Sequence, residues 1–374
     1  MSDSQRNLAL DVFRGITVCF MIIVNSPGTW DIMYAPLEHA PWHGFTPTDL
    51  VFPSFLFAVG NAMAFSMYKY ESQGEGVFWQ KTIKRTVIIF LIGYLLYWFP
   101  FVREADGGGI ELKPLAETRI LGVLQRIALC YFFASLIIHY GSKKIAIWFS
   151  ALALVGYWII SYVYGDPNDP YSMVGNAGLR LDLFLFGEKH LYHGEGIAFD
   201  PEGFLSTLPS IVNVIGGYLA GDYIRRHGNS YEGIAKLLLM GSLLIFGALT
   251  WNMAFPINKK LWTSSFVLLT VGIDVLILGA LIYLTEILRR RKWTPFFLVF
   301  GRNPLFIYII ADLFLTVMFM IPSGDDNLQS AIYSDVLLKI ASPINASFLF
   351  AVLYMLLCWS VGYILDKKKI YVRV

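Results

Sequence analysis

The chain has 374 residues, of which 56% are hydrophobic and only 15% are charged, and its formal net charge is +2. Soluble domains carry about 25% charged residues, so this composition excludes an ordinary soluble enzyme and indicates a polytopic membrane protein. So small a net charge gives no reason to expect a nucleic-acid partner. Cys19, Cys130 and Cys358 all lie inside apolar runs, which predicts neither a disulfide framework nor a cysteine metal site.

Ten apolar runs, each close to the ~20 residues that cross a bilayer, predict ten transmembrane helices and an all-α fold. Lysine and arginine fall mainly on one side of these runs, which predicts that both termini are cytoplasmic. We therefore expect one transmembrane domain over 1–374, whose first apolar run is a true span rather than a signal peptide. The predicted spans are 8–26, 50–67, 81–102, 119–139, 145–164, 204–224, 232–254, 262–285, 296–321 and 345–365.

Four predicted loops on the opposite side are longer than a turn, and we expect them to form a small external cap. The first of these loops lies within the stretch from Asn25 to Pro53, which contains two histidines, two aspartates and no lysine or arginine. A polar segment without cations between two spans is typical of an external loop, where a histidine can act on a molecule outside the cell. The four loops are 27–49, 103–118, 165–203 and 322–344.

His39 is the candidate general base, because an imidazole with a pKa of about 6.5 accepts a proton at neutral pH. It could equally be a polar loop residue and no more. Asn25 closes the first span, and its amide could donate a hydrogen bond to a developing oxyanion or simply cap the helix. His43 lies four residues after His39 among prolines, and neither this pair nor the segment around His190 predicts a metal site.

Charged side chains inside apolar spans are costly, so each is a candidate for a ligand contact. Arg14 lies three residues after Asp11, which allows either a local ion pair or a contact with a phosphate. Arg302, beside Asn303, has no carboxylate nearby in the sequence, which favours an anionic partner from elsewhere. Arg14 and Asn25 are about 17 Å apart along a helix, so a long anionic ligand such as coenzyme A could run from the inner arginines to the outer loop.

Gln125 and Arg126 form another polar pair, about two turns below the outer end of the fourth span. Arg126 is too deep to reach the surface easily, so it needs a partner or a water-filled cavity. Asp274 and Asp312 lie near the middles of the eighth and ninth spans. They could pair with these arginines or line a proton path.

Five segments together resemble the bacterial relatives of heparan-α-glucosaminide N-acetyltransferase, the transmembrane acyltransferase group that includes NagX-like proteins. In chain order they are LDVFRGITVCFMIIVN, HAPWHGFTPTDLVFPSFLFAVGNAM, GVLQRIALCYF, FPINKKLWTSSFVL and GRNPLFIYI. The histidine and the asparagine of the family pattern fall on His39 and Asn25. The resemblance implies transfer of an acetyl group from cytosolic acetyl-CoA to the amino group of a glucosamine-type sugar in the periplasm, across a bacterial inner membrane.

On this resemblance His39 removes a proton from the acceptor amine, or carries the acetyl group itself, and Asn25 polarises the thioester carbonyl. The lipid bilayer and the two substrates are the expected partners, no metal is expected, and association into a homodimer stays open. The residues expected at acetyl-CoA are Arg14, Arg126, Arg302 and Asn303, and those expected at the sugar are Trp42, Asp49 and Gln125.

Two other functions stay open from the residues alone. One is proton-coupled transport of amino sugars, with Arg126, Asp274 and Asp312 as a proton relay; the sequence shows no paired repeats and no broken helices in matching halves to support it. The other is transfer of a different acyl group to an envelope polysaccharide.

Overall fold

The computed structural model describes residues 8–71, 73–104, 108–227, 230–324 and 326–372, and within them the fold is helical with two short antiparallel hairpins. The hairpins are β1 Val102–Glu104 with β2 Ile110–Leu112, and β3 Pro322–Ser323 with β4 Asp326–Asn327. The helices are α1 Leu8–Asn25, α2 Val51–Glu71, α3 Glu75–Trp98, α4 Val123–Tyr140, α5 Lys143–Tyr164, α6 Ala177–Phe186, α7 Thr207–His227, α8 Tyr231–Trp251, α9 Ser264–Ile282, α10 Thr294–Arg302, α11 Pro304–Met320, α12 Leu328–Ala331 and α13 Pro343–Lys367.

Seven helices in the described part of the chain are long and apolar enough to cross a membrane, and the bent pair α10 and α11 raises the number to eight. The long helices α3 and α7 lie outside this set. Each of the ten predicted spans corresponds to one long helix or to the bent pair. The helical membrane fold is therefore confirmed, whereas the count of ten and the placement of the termini stay predictions.

The ninth predicted span, 296–321, differs from the single helix expected there. The helices α10 and α11 meet at Asn303 with a bend of 83°. Pro304 accounts for the break, because proline has no amide hydrogen to donate and its ring clashes with the preceding turn. The buried Asn303 side chain donates to the Ile370 carbonyl at 3.0 Å and accepts from the Val372 amide at 2.8 Å. The segment after α13 thus closes over the break.

The described residues fold into two compact units. The first unit comprises 8–40, 46–55 and 277–372, and the second comprises 41–45 and 56–276. The polar loop after α1 is divided between them, with His39 and Asp49 in the first unit and Trp42 in the second.

The first unit is built around the contact between α1 and α10. A Cβ atom on Gly15 would lie 1.9 Å from the carbonyl oxygen of Phe297, and one on Gly301 would lie 2.1 Å from that of Asp11. Only glycine allows the two backbones to approach so closely. The helices α11 and α13 also contact α1, and the side chains of α1 that face them are buried and apolar.

In the second unit α3 pairs with α4, and α4 and α5 both pack against α7. The loop 165–203, one of the four predicted to form a cap, contains α6 and contributes most of a small apolar core. That core consists of Leu179, Leu191, Phe199 and Leu261, with Trp42 packed against it. The formation of one external cap from all four loops stays a prediction.

Candidate active site

The side chains of His39 and Asp49 meet within the polar loop that follows α1. The Nδ1 atom of His39 lies 2.7 Å from Oδ1 of Asp49. The Asp49 side chain is 1% exposed, whereas that of His39 is 37% exposed. An ionised carboxylate can only accept, so Nδ1 carries the proton of this hydrogen bond and Nε2 carries the basic lone pair. The pair has the geometry of a base held in place by a carboxylate.

The second carboxylate oxygen of Asp49 is fixed by the backbone of the same loop. It accepts from the amides of Ala40 and Thr46 at 3.2 and 3.0 Å. The sequence Thr-Pro-Thr-Asp explains this arrangement, because Thr46 precedes a helical turn at Pro47–Leu50 and an acidic residue three positions later bonds back to it. The carboxylate that holds His39 therefore has one defined orientation.

Two threonine hydroxyls hold the chain on the other side of His39. Thr46 donates to the carbonyl of Glu38 at 2.6 Å, and Thr48 donates to the carbonyl of Pro36 at 3.1 Å. Each hydroxyl replaces water at a backbone oxygen that no helix or strand would satisfy. The loop 36–49 is thereby folded on itself, which limits the movement of His39.

Asn25 is the last residue of α1, and its side chain is exposed. The turn that follows is held from two distant parts of the chain. The buried Gln329 donates to the carbonyls of Pro27 and Gly28 at 3.2 and 2.7 Å. The amide of Gly28 donates to the carbonyl of Ser347 at 3.1 Å. Sequence reasoning missed Gln329 and Ser347, because neither lies in a motif and both are some 300 residues away from Asn25.

Arg14 and Arg302, the two arginines of the first unit expected at acetyl-CoA, are each paired with a carboxylate. Arg14 bonds Asp11 at 2.6 Å, as the local ion pair allowed by their spacing. Arg302 donates to both oxygens of Asp366 at 2.7 and 2.8 Å. Asp366 was not predicted as a partner, because it lies 64 residues further along the chain. A phosphate at either arginine would share the guanidinium with a carboxylate already there.

Arg126 meets its partners in the interior of the second unit. Its Nη2 donates to the Gly203 carbonyl at 2.9 Å and to the Ser206 hydroxyl, and its guanidinium lies 5.0 Å from the centre of the Trp262 ring. Within the described residues, its Nε and Nη1 atoms and both amide atoms of Gln125 are buried without a hydrogen-bond partner. Buried polar atoms left in this state are where a water or a ligand group is expected.

Trp42 fixes the short segment 41–45 within the second unit through two contacts. Its indole nitrogen donates to the Tyr171 carbonyl at 2.9 Å, and its ring meets that of Phe199 edge-on. His43 lies 3.3 Å from the amide nitrogen of Asn258. Burial lowers the pKa of His43, against the opposing charge of Asp169. The contact of Trp42 with a sugar stays a prediction, and the contacts seen here are with the protein.

A buried charged cluster in the second unit was also missed from the sequence. Arg119 bonds Asp200 at 2.9 and 2.5 Å and Glu202 at 2.6 Å. Asp182 lies in α6 near this cluster, and it accepts from the Phe204 amide at 2.9 Å. Burial raises the pKa of Asp182 to about 7, and the negative charge of Asp200 acts in the same direction. These contacts join the loop 165–203 to the segment before α4.

Among the described residues no group of three or more His, Cys, Asp or Glu side chains is placed to bind a metal ion. The predicted site residues are divided between the two units. The first unit contains Arg14, Asn25, His39, Asp49, Arg302 and Asn303, and the second contains Trp42, Gln125 and Arg126.

Helices long enough to span a bilayer define a multi-pass membrane protein, in which a buried carboxylate orients one histidine. The chain belongs to the family described as heparan-alpha-glucosaminide N-acetyltransferase, catalytic, whose sequence pattern matches residues 6–248. The resemblance seen in the sequence is thereby confirmed. The matched region includes Asn25, His39 and Asp49, whereas Arg302 and Gln329 lie beyond it.

The chain is 28% identical over 364 residues to the heparan-alpha-glucosaminide N-acetyltransferase of Homo sapiens, an alignment that covers 82% of this chain and 52% of that protein. It is 26% identical over 364 residues to the protein of the same name from Mus musculus, with 82% of this chain and 53% of that protein covered. The chain therefore spans about half the length of the curated relatives it matches.

Proposed function

We propose that this chain is a transmembrane N-acetyltransferase that moves an acetyl group from acetyl-CoA to the amino group of a glucosamine-type sugar. The observation that carries the proposal is the hydrogen bond between His39 and the buried carboxylate of Asp49, in a chain of the acetyltransferase family. A histidine oriented in this way is suited to take a proton from an attacking amine.

In the proposed step, Nε2 of His39 removes a proton from the acceptor ammonium, and the freed amine nitrogen bonds to the thioester carbonyl carbon. The carbon–sulfur bond then breaks, the leaving thiolate takes up a proton from the imidazolium, and the nitrogen gives its second proton to water, which leaves the amide and the free thiol. Asn25 donates an amide N–H to the carbonyl oxygen while negative charge is present on it. A route in which His39 first accepts the acetyl group and then passes it to the amine uses the same residues.

We place the acidic end of acetyl-CoA near Arg14 and Arg302 and let each guanidinium serve both its carboxylate and a phosphate oxygen. The side chain of Asn303 is engaged by the segment after α13, so we assign it the role of holding Arg302 at the helix break. The atoms of Gln125 and Arg126 that have no partner among the described residues would serve the polar arm of the donor or the sugar.

We further propose ten spans, cytoplasmic termini and a His39 loop that faces the periplasm of a bacterial inner membrane. The distribution of lysine and arginine supports this orientation. Single cysteines at the exposed positions of Glu38 and Lys144 would test it in intact cells with a maleimide that does not cross membranes. Labelling of Glu38→Cys but not of Lys144→Cys is expected, and the reverse pattern would reject the orientation.

The proposed activity is tested by acetylation of glucosamine from labelled acetyl-CoA by the purified full chain in lipid nanodiscs. We expect activity in the wild type, loss of at least ~10²-fold in His39→Ala, and little change in the control His193→Ala, an exposed histidine of the loop 165–203. A wild type that acetylates no amino sugar would refute the function, and an active His39→Ala variant would remove His39 from the reaction.

The bend between α10 and α11 favours one rival, since discontinuous helices are common in transporters. Uptake of glucosamine into proteoliposomes without acetyl-CoA would support transport. Acetyl transfer without uptake would support the enzyme. A screen of other acyl-CoA donors against polysaccharide acceptors would detect an envelope acyltransferase.

A further inference from the structure

The hairpin of β1 and β2, between α3 and α4, has two chemically different faces. Its register pairs Val102 with Leu112 and Arg103 with Glu111. Residues directly opposite in an antiparallel pair lie on the same face, and successive residues alternate between faces. Val102, Ile110 and Leu112 therefore share one face, on which the register also places Glu104 opposite Ile110, and Arg103 and Glu111 share the other.

The charged side chains of the polar face form ion pairs. Arg103 bonds Glu111 at 2.6 Å and Glu117 at 2.7 Å. All three side chains are exposed, with 39% to 46% of each accessible. Such pairs are compatible with water and contribute little to stability, so this face needs no further partner.

Three of the four residues on the opposite face are aliphatic, and these side chains are far more exposed than those of a protein core. Ile110 is 81% exposed, Leu112 72% and Val102 36%. Leu115, just after β2, is 51% exposed. The hairpin is amphipathic, with exposed aliphatic side chains on one face and ion pairs on the other. The aliphatic side chains are expected to be covered by a partner.

The hairpin is fixed to the end of α3 by three hydrogen bonds. The Trp98 indole donates to the Lys113 carbonyl at 2.9 Å, and the Lys113 amide donates to the Phe101 carbonyl at 2.9 Å. The Lys113 ammonium donates to the carbonyl of Tyr97 at 2.7 Å. The direction of the apolar face is therefore set by the helix rather than by a free loop.

An exposed apolar stripe runs along α3 toward the hairpin. Ile83, Val87, Leu91 and Leu95 recur every four residues, and each is 46% to 52% exposed. In a membrane protein, a stripe of this kind faces lipid. The aromatic group Trp98, Phe99 and Phe101 stands between the stripe and the strands. Aromatic side chains are enriched where hydrocarbon meets water, which places the hairpin at that level.

We propose that the β1–β2 hairpin is an interfacial membrane anchor, with the face of Val102, Ile110 and Leu112 inserted among the lipid headgroups and upper acyl chains at the end of α3. The face continues the exposed apolar stripe of α3, and the ion pairs of Arg103 lie on the other side of the hairpin. This inference is independent of the proposed acetyl transfer.

The test places an environment-sensitive fluorophore on single cysteines, Ile110→Cys on the apolar face and Glu111→Cys as the neighbouring control on the polar face. The full chain is reconstituted in nanodiscs with and without lipids that carry a quencher near the headgroup. We expect a blue-shifted emission and about twofold or greater excess quenching at position 110. Equal emission and quenching at the two positions would overturn the proposal.

The three native cysteines are buried, so the labelled wild type supplies the background. A second probe at Leu112→Cys repeats the measurement should Ile110→Cys misfold, as judged by gel filtration. A second copy of the chain is the competing occupant. Disulfide-linked dimers of Ile110→Cys that form in proportion to protein concentration, with no lipid quenching, would also overturn the membrane assignment.

Discussion

Asp49 holds His39 through a 2.7 Å hydrogen bond across only ten residues of sequence. Both partners, and the threonine hydroxyls that brace them, lie in one loop between α1 and α2. The orientation of the imidazole is therefore a property of a short stretch of chain.

Replacement of Asp49 by asparagine is expected to lower kcat by about 10²–10⁴-fold. The amide can bond either histidine tautomer, so Nε2 is no longer favoured as the basic nitrogen, whereas KM for acetyl-CoA should change little. Steady-state kinetics of the purified variant check this. Asp31→Asn, at an exposed position of the same loop, is the control. An unchanged kcat in Asp49→Asn would show that the carboxylate does not position the base.

Gln329→Leu is expected to destabilise the protein by about 1–3 kcal/mol, because the buried carbonyls of Pro27 and Gly28 would lose their donor. We also expect a lower kcat, because the turn after Asn25 would be less fixed. Thermal unfolding in detergent and the acetylation assay measure the two effects. The control Asn345→Ala loses two exposed bonds, one from Tyr34 and one to Ser342, and a change within about 0.5 kcal/mol is expected. Equal melting temperatures for the two variants would contradict the prediction.

Gly15→Ala should destabilise by at least about 1–3 kcal/mol, because the added methyl group would lie 1.9 Å from the carbonyl oxygen of Phe297. Backbone cannot move aside as a flexible side chain would. Gly156→Ala in α5 is the matched control, since a Cβ there meets nothing within 4 Å. Alanine is the better helix former, so that variant should be neutral or slightly stabilised. Similar losses of thermal stability in both variants would count against close packing of α1 on α10.

The raised pKa of Asp182, about 7, predicts a pH dependence of stability. The folded state keeps this proton to a higher pH than the unfolded state does. The contribution of Asp182 is therefore fully present below about pH 4 and is lost as pH rises toward 7, by at most ~1.4 kcal/mol per unit.

Asp182→Asn removes this titration, so its melting temperature relative to wild type should rise between about pH 4 and pH 7. Thermal unfolding at several pH values measures the difference, and Asp31→Asn corrects for the loss of one charge. A difference between Asp182→Asn and wild type that does not vary with pH would show that Asp182 titrates alike in both states.

Apolar run length was enough to predict the long helices, because a bilayer requires about 20 apolar residues whatever their order. Pro304 marks where α10 and α11 separate, although an angle of 83° is set by packing and not by one proline. His39 and Asn25 were identifiable from the family pattern. The contact of His39 with Asp49 was not, because neither helical nor strand periodicity applies within an irregular loop.

Contacts between residues far apart in the sequence were also not predicted. The sequence shows only the residues adjacent to Arg302 along the chain, and none of them is a carboxylate. Asp366 contacts Arg302 because α13 packs against α10. Gln329 likewise reaches the turn after Asn25 from the other end of the chain. A single sequence contains no signal for such pairs.

The hydrogen bonds of Asn303 with Ile370 and Val372 also predict a response to proteolysis. A cut after Lys367 would remove both hydrogen-bond partners of the Asn303 side chain at the bend between α10 and α11. Cleavage there by trypsin should therefore loosen α10 where it packs on α1.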